Sequence, residues 1–122
     1  MPSLRIKRVY EPPAPDDGVR ILVDRLWPRG LSKEAAALDH WFKDIAPSPE
    51  LRTWFDHRED RFDEFKQRYR IELKANPALA DFRKLTKSGK VTLLYAAHDQ
   101  KVNHAVVLAD YIQALNAKHR AK

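Results

Sequence analysis

The chain has 122 residues, 43% of them hydrophobic, and its 23 Lys and Arg residues outnumber 17 Asp and Glu residues to give a net charge of +6. This length and apolar content fit one domain with a packed core and argue against disorder. The chain has no cysteine, which excludes disulfides, thiolate metal ligands and a thiol nucleophile. The excess of positive charge favours acidic binding partners.

Membrane association is not expected, because no segment reaches the roughly 20 apolar residues of a membrane-spanning helix. The first ten residues, MPSLRIKRVY, also lack the apolar centre of a signal peptide. We therefore predict a cytoplasmic protein without a membrane partner. The sequence leaves the oligomeric state open.

Two strands are predicted in the first part of the chain. Residues 4–10 alternate between apolar and basic side chains, as a half-buried strand does. Residues 19–25 (VRILVDR) are almost continuously apolar at first, which is typical of a strand covered on both faces. The stretch EPPAPDDG between them predicts a loop.

Short helices are predicted in the next part. Ser32 is a suitable N-cap for a helix through Ala37. Residues 38–46 fit either a helix or a strand, and their alternation slightly favours a strand. Ser48 followed by Pro49 predicts the start of another helix.

The second half of the chain gives clearer signals. A helix ends at Asn76–Pro77, and a second one from Ala78 ends before Gly89. Residues 90–97 (KVTLLYAA) predict a buried strand, and Asn103 is a suitable cap for a last helix. The core-facing stripe of the first helix consists of Phe62, Phe65, Tyr69 and Leu73.

This alternation of strands and helices predicts an α/β fold. We expect a single small domain over residues 1–117, with a mainly parallel sheet of about four strands flanked by helices. Residues 118–122 are predicted to form a basic C-terminal tail.

The predicted functional site lies in two loops, RLWPRG after the strand at 19–24 and HDQKVNH after the strand at 90–97. Ligands bind beyond the carboxyl ends of parallel strands, where these loops would meet. Arginine side chains and helix N-termini both attract anions. The sequence thus predicts a pocket for a small phosphate- or carboxylate-bearing molecule, with Arg25, Trp27, Arg29, Gly30, His57 and Asn103 as ligand-binding residues.

Asp99 and His104 are the predicted catalytic residues, as a pair that transfers a proton. With such a pair the protein would be a hydrolase or transferase of nucleotide-like compounds, but the sequence leaves open whether it is an enzyme. The spacing of His98, Asp99 and His104 matches no metal motif, so no metal is expected. No cofactor is expected either, because three glycines form no nucleotide-binding fingerprint.

Structural interpretations compete with these assignments. Arg25 could pair with Asp16 or Asp24, and Trp27 could close the end of the core. Gly30 could only supply a positive φ.

Two other functions remain as alternatives. A nucleic-acid-binding module would expose a continuous basic stripe in which Arg58, Arg61, Arg68 and Arg70 join the N-terminal RIKR, residues 5–8. A protein-interaction module would expose an aromatic patch around Trp41 or Trp54.

Five segments carry a resemblance to a known family: VDRLWPRGLSKE, DHWFKDIAPSPELRTWF, YRIELKANP, VTLLYAAHD and NHAVVLADYI. Together they resemble the YeaO-like branch of the domain-of-unknown-function family 488, in the same order. The resemblance implies a small cytoplasmic bacterial protein without an established activity, and it supplies no reaction. It implies importance for Arg25, Trp27, Pro28, Arg29, Gly30, Trp54, Phe55, His57, Tyr69, Tyr95, Asp99, Asn103 and His104.

Overall fold

A four-stranded parallel sheet forms the centre of the computed structural model, which describes the backbone of residues 3–120 and the side chains of residues 4–117. Its order is β1-β4-β2-β3, and every neighbouring pair is parallel. The strands are β1 (Ser3–Arg8), β2 (Val19–Leu22), β3 (His40–Trp41) and β4 (Lys90–Tyr95). The predicted α/β fold with a parallel sheet of about four strands is confirmed.

Five α-helices accompany the sheet in the described part of the chain. They are α1 (Lys33–Ala36), α2 (Pro49–Phe55), α3 (Phe62–Ala75), α4 (Leu79–Thr86) and α5 (His104–Arg120). Short 3-10 turns lie at Pro15–Asp17, Lys43–Ile45 and Glu59–Arg61. None of these helices combines the length and the apolar character needed to cross a bilayer.

The two faces of the sheet are covered unequally. Residues from α2, α3, α4 and α5 form the larger apolar cluster, which meets Ile21 and Leu93 on one face. The other face carries Leu22 and Leu94 under a thinner cover that includes Ala36 of α1. Because β2 and β4 are buried on both faces, most of their residues are apolar, as predicted. The polar residues Arg20 and Thr92 within them are buried as well.

The segment 38–46 is a strand over two residues alone. His40 and Trp41 pair with β2, and Lys43–Ile45 then form a 3-10 turn. The turn places Ile45 in the core, fully buried. The predicted preference for a strand is therefore confirmed for β3 only, because packing of Ile45 ends the extended conformation.

The division of the C-terminus into domain and tail stays a prediction. The backbone of α5 continues to Arg120. The side chains of residues 118–122, which were predicted to form the basic tail, lie outside the described residues.

Candidate functional site

A cleft of about 550 Å³ opens beyond the carboxyl ends of β2 and β4. One wall comes from Asp24, Arg25 and Leu26 after β2, and another from residues 96–99 after β4. These two loops meet because β2 and β4 are hydrogen-bonded neighbours. The remaining lining comes from Ala46, Pro47, Arg52, Phe55, His57, Phe65, Asn103 and His104.

The predicted site residues divide into two groups. Five of them line the cleft: Arg25, His57, Asp99, Asn103 and His104. The other three, Trp27, Arg29 and Gly30, are not among the residues that line it.

Trp27 has a structural environment. Its indole N–H donates to the carbonyl of Leu31 at 2.7 Å, and its ring meets the edge of Trp41 with 5.3 Å between centroids. The ring also packs against the small cluster around Leu22 and Leu94. These contacts agree with the interpretation that Trp27 closes one end of the core.

Arg29 and Gly30 form the outer part of the same turn. Both are exposed, and the carbonyl of Arg29 accepts a hydrogen bond from the Tyr10 hydroxyl at 2.8 Å. Gly30 has a φ of 74°, a conformation that glycine adopts without a steric penalty.

Arg25 lines the cleft, and its guanidinium forms no ion pair with a carboxylate of the described residues. Its guanidinium makes long contacts of 3.3–3.4 Å to the carbonyls of Ala46 and Pro47. The alternative that Arg25 pairs with Asp16 or Asp24 is wrong for the described residues, because Asp16 pairs with Arg5 and Asp24 with His104.

Arg52 brings a second guanidinium to the cleft. It lies on α2, is exposed, and makes no side-chain hydrogen bond or ion pair with any other residue in the described part of the chain. The cleft therefore presents two arginines without carboxylate partners.

Two side chains of α3, Tyr69 and Glu72, and the side chain of its C-cap Asn76 fix the wall that receives Arg25. Tyr69 donates its hydroxyl to the carbonyl of Ile45 at 2.6 Å, and Asn76 donates to the carbonyl of Asp44 at 2.8 Å. Glu72 accepts from both the backbone N–H and the hydroxyl of Ser48, at 2.9 and 2.6 Å. Burial raises the pKa of Tyr69 well above its ordinary value, so this hydroxyl stays protonated and remains a donor.

His104 pairs with Asp24 rather than with Asp99. Its Nε2 lies 3.0 Å from the carbonyl oxygen of Val23 and 3.2 Å from Asp24 Oδ1. A carbonyl oxygen only accepts, so Nε2 carries a hydrogen and the neutral ring has its lone pair on Nδ1. Asp24 Oδ2 accepts from the backbone N–H of Ala96 at 3.0 Å, which joins the loops after β2 and β4.

Asp99 organises the loop before α5. Its Oδ1 accepts from the backbone N–H groups of Val102 and Lys101, at 2.9 and 2.8 Å, and these bonds lower its pKa. Asn103 is buried, donates to the Asp99 carbonyl at 2.8 Å, and accepts from the N–H of Val106 at 3.0 Å. Asn103 is thus the cap of α5, as its position predicts.

His57 reaches the cleft through an uncommon backbone conformation. After α2 ends, Asp56 and His57 have φ values of 49° and 55°, both left-handed. Such a conformation costs about 1–2 kcal/mol for a residue with a side chain. His57 was among the predicted ligand-binding residues, and this turn brings it to the cleft.

Comparison with known proteins identifies the family. Residues 3–122 match a family model described as the inactive DUF488-N3 subclade. The chain belongs to this DUF488 subclade. It is 49% identical over 115 residues to an uncharacterised protein of Mycobacterium tuberculosis, covering 94% of this chain and 95% of the relative. It is 44% identical over 117 residues to the uncharacterised protein YeaO of Escherichia coli, covering 93% and 99%. No solved structure matches the chain.

Two cleft residues of this DUF488 protein were missed as site residues by sequence reasoning. Asp24 is predicted only as a structural partner of Arg25, although it stands directly beyond a buried strand, where ligand groups are expected. Arg52 carries no local signal in the sequence, since a charged residue on the exposed face of a short helix is common. Among the side chains of residues 4–117, no three His, Asp or Glu are grouped so that they could hold a metal ion.

Proposed function

We propose that this DUF488 protein binds a small molecule bearing a phosphate or a carboxylate group in the cleft beyond β2 and β4. One observation carries the proposal: Arg25 and Arg52 both line the cleft without a carboxylate partner among the described residues. A cleft of about 550 Å³ is of the size that accommodates small organic ligands.

Arg25 is suited to hold an anion in a fixed place. Its Nε and Nη2 donate to the carbonyls of Ala46 and Pro47, while Nη1 makes no hydrogen bond with the described residues. Because α3 holds this wall, the guanidinium is oriented before a ligand arrives. Guanidinium groups bind carboxylates and phosphates through paired N–H donors.

Binding without turnover is the better-supported form of the proposal. The subclade is described as inactive, and the chain has no cysteine for an arginine-rich anion loop to activate. The Asp99 carboxylate is engaged by two backbone N–H groups. A hydrolase or transferase would depend on the Asp24–His104 pair.

The two alternative functions have less support. Arg58 pairs with Asp60 at 2.9 Å and Arg68 with Glu64, so acids neutralise part of the proposed basic stripe. The guanidiniums of Arg61 and Arg68 stack on Trp54, which leaves that indole half-buried. Trp41 remains 37% exposed, beneath the Lys43 ammonium.

An NMR titration of the amide groups tests the proposal. The ligands are acetate, inorganic phosphate, phenyl phosphate and phenylacetate, and the proteins are the wild type, Arg25→Gln/Arg52→Gln and a control with the same charge, Arg29→Gln/Arg70→Gln. We expect shifts at the cleft and at least about tenfold weaker binding in the cleft variant only. Equal loss of affinity in both variants, or no binding of any anion, would overturn the proposal.

A cytoplasmic location is part of the same proposal, and cell fractionation tests it.

A further inference from the structure

We propose that the ligand is an amphipathic organic acid: an anionic group for Arg25 and Arg52, an apolar body, and a hydroxyl or N–H donor for His104. This inference rests on the proposed anion-binding function and narrows its ligand class. The proposed ligand class contains organic acids and excludes inorganic anions such as phosphate.

The apolar body follows from the walls of the cleft. Most of the surface that lines the cleft is apolar, with contributions from Leu26, Pro47, Phe55 and Ala97. An inorganic anion would occupy the guanidiniums and leave this surface in contact with water. An apolar or aromatic body would cover it and gain the free energy of burial.

The donor group follows from the fixed orientation of the His104 ring. Nε2–H is held between the Val23 carbonyl and Asp24, at 3.0 and 3.2 Å. Nδ1 has no hydrogen-bond partner among the described residues, and His104 lines the cleft. In the neutral ring Nδ1 can only accept, so the complementary ligand atom is a donor.

Two carboxylates, those of Asp24 and Asp99, also line the cleft near His104. Asp24, the acid nearest to His104, directs Oδ2 to the Ala96 N–H and Oδ1 to the His104 ring. Asp99 directs Oδ1 to backbone N–H groups. Asp24 Oδ1 is buried and, although it lies 3.2 Å from the His104 ring, makes no hydrogen bond with the described residues. The free Nδ1 of His104 is the acceptor that we assign to the hydroxyl or amide N–H of the ligand.

The affinities of different acids, measured in the same NMR titration, test the proposed ligand class. Phenylacetate should bind about tenfold more tightly than acetate and inorganic phosphate, because its ring covers the apolar wall. The 3- or the 4-hydroxy derivative should bind about threefold more tightly again. The double variant Arg25→Gln/Arg52→Gln should bind every one of these acids more weakly than the wild type does.

The His104 ring gives a second readout that needs no variant at that position. Its imidazole ¹⁵N resonances should show hydrogen on Nε2 in the free protein, and the hydroxylated acid should shift Nδ1 whereas phenylacetate should not. Anion binding with equal affinity for acetate, phosphate and phenylacetate would overturn the inference and leave the proposed function standing. An unshifted Nδ1 with both hydroxy derivatives would overturn the donor group. If none of the acids binds, both the proposed function and this inference are overturned.

Discussion

Asp24 is the residue on which the two loops of the cleft converge. Its carboxylate receives the Ala96 N–H and faces the Nε2 of His104, and its carbonyl accepts from the Trp41 indole N–H at 2.8 Å. The side chain is only 17% exposed, so these contacts are shielded from water. One side chain thereby sets the positions of the loops after β2 and β4 and of the first residue of α5.

Replacement of this carboxylate should disturb the histidine as well as the loop. In Asp24→Asn, the new amide can still accept from Ala96, but its NH₂ then faces the Nε2–H of His104, donor against donor. We expect the free energy of unfolding to fall by about 1–2 kcal/mol in urea denaturation, with a changed His104 tautomer by ¹⁵N NMR. Asp99→Asn is the matched control, since its amide oxygen can accept the same two N–H groups. Unchanged stability together with hydrogen still on Nε2 would contradict this account.

At the scale of elements, the sequence predicted what local chemistry determines. The stripe of α3 and the caps at Ser32, Ser48 and Asn103 depend on neighbouring residues, and the structure confirms them. The end of β3 depends on packing of Ile45, and the orientation of Arg25 depends on carbonyls held by α3. Neither is visible in a single segment.

The 3-10 turn Pro15–Asp17 is attached to the sheet through one buried carboxylate. Asp17 is 1% exposed and contacts Lys7 Nζ at 3.1 Å, Arg20 Nη1 at 2.5 Å and the Ala14 N–H at 2.9 Å. Burial alone would raise its pKa, but the Ala14 N–H, Lys7 and Arg20 together lower it below 3.8. Its stabilising contribution is therefore complete above about pH 4 and is lost as the pH falls through the lowered pKa.

Asp17→Asn should reveal this attachment. The substitution leaves the buried Arg20 without its carboxylate, and we expect a loss of about 2–3 kcal/mol in the free energy of unfolding at pH 7. The difference from the wild type should shrink as the pH falls below about 4 and through the lowered pKa of Asp17, because the wild-type carboxylate becomes protonated over that range. Asp16→Asn is the control, because Asp16 is exposed and should change stability by no more than about 0.5 kcal/mol. A pH-independent difference would contradict the role of the charge.

For the whole molecule, the topology explains why only part of the predicted site assembled. The order β1-β4-β2-β3 makes β2 and β4 neighbours, so the residues directly after them share a cleft. The turn after β2 then leaves that edge, and Trp27 packs against Trp41 on the thinly covered side of the sheet. The rule that ligands bind beyond the carboxyl ends of parallel strands was sufficient to predict Arg25 and His104 at the cleft. It could not predict that the chain leaves this edge of the sheet before Trp27.

The net charge of +6 should give weak attraction to nucleic acid that is independent of the cleft. In fluorescence anisotropy with a labelled oligonucleotide, we expect affinity that falls steeply with salt, with a Kd above about 1 μM near physiological ionic strength. Arg25→Gln/Arg52→Gln should weaken this binding no more than Arg29→Gln/Arg70→Gln, because both variants lose two positive charges. Saturating phenylacetate should leave the anisotropy unchanged. Displacement of the oligonucleotide by phenylacetate, together with a selective loss in the cleft variant, would instead assign the cleft to nucleic acid.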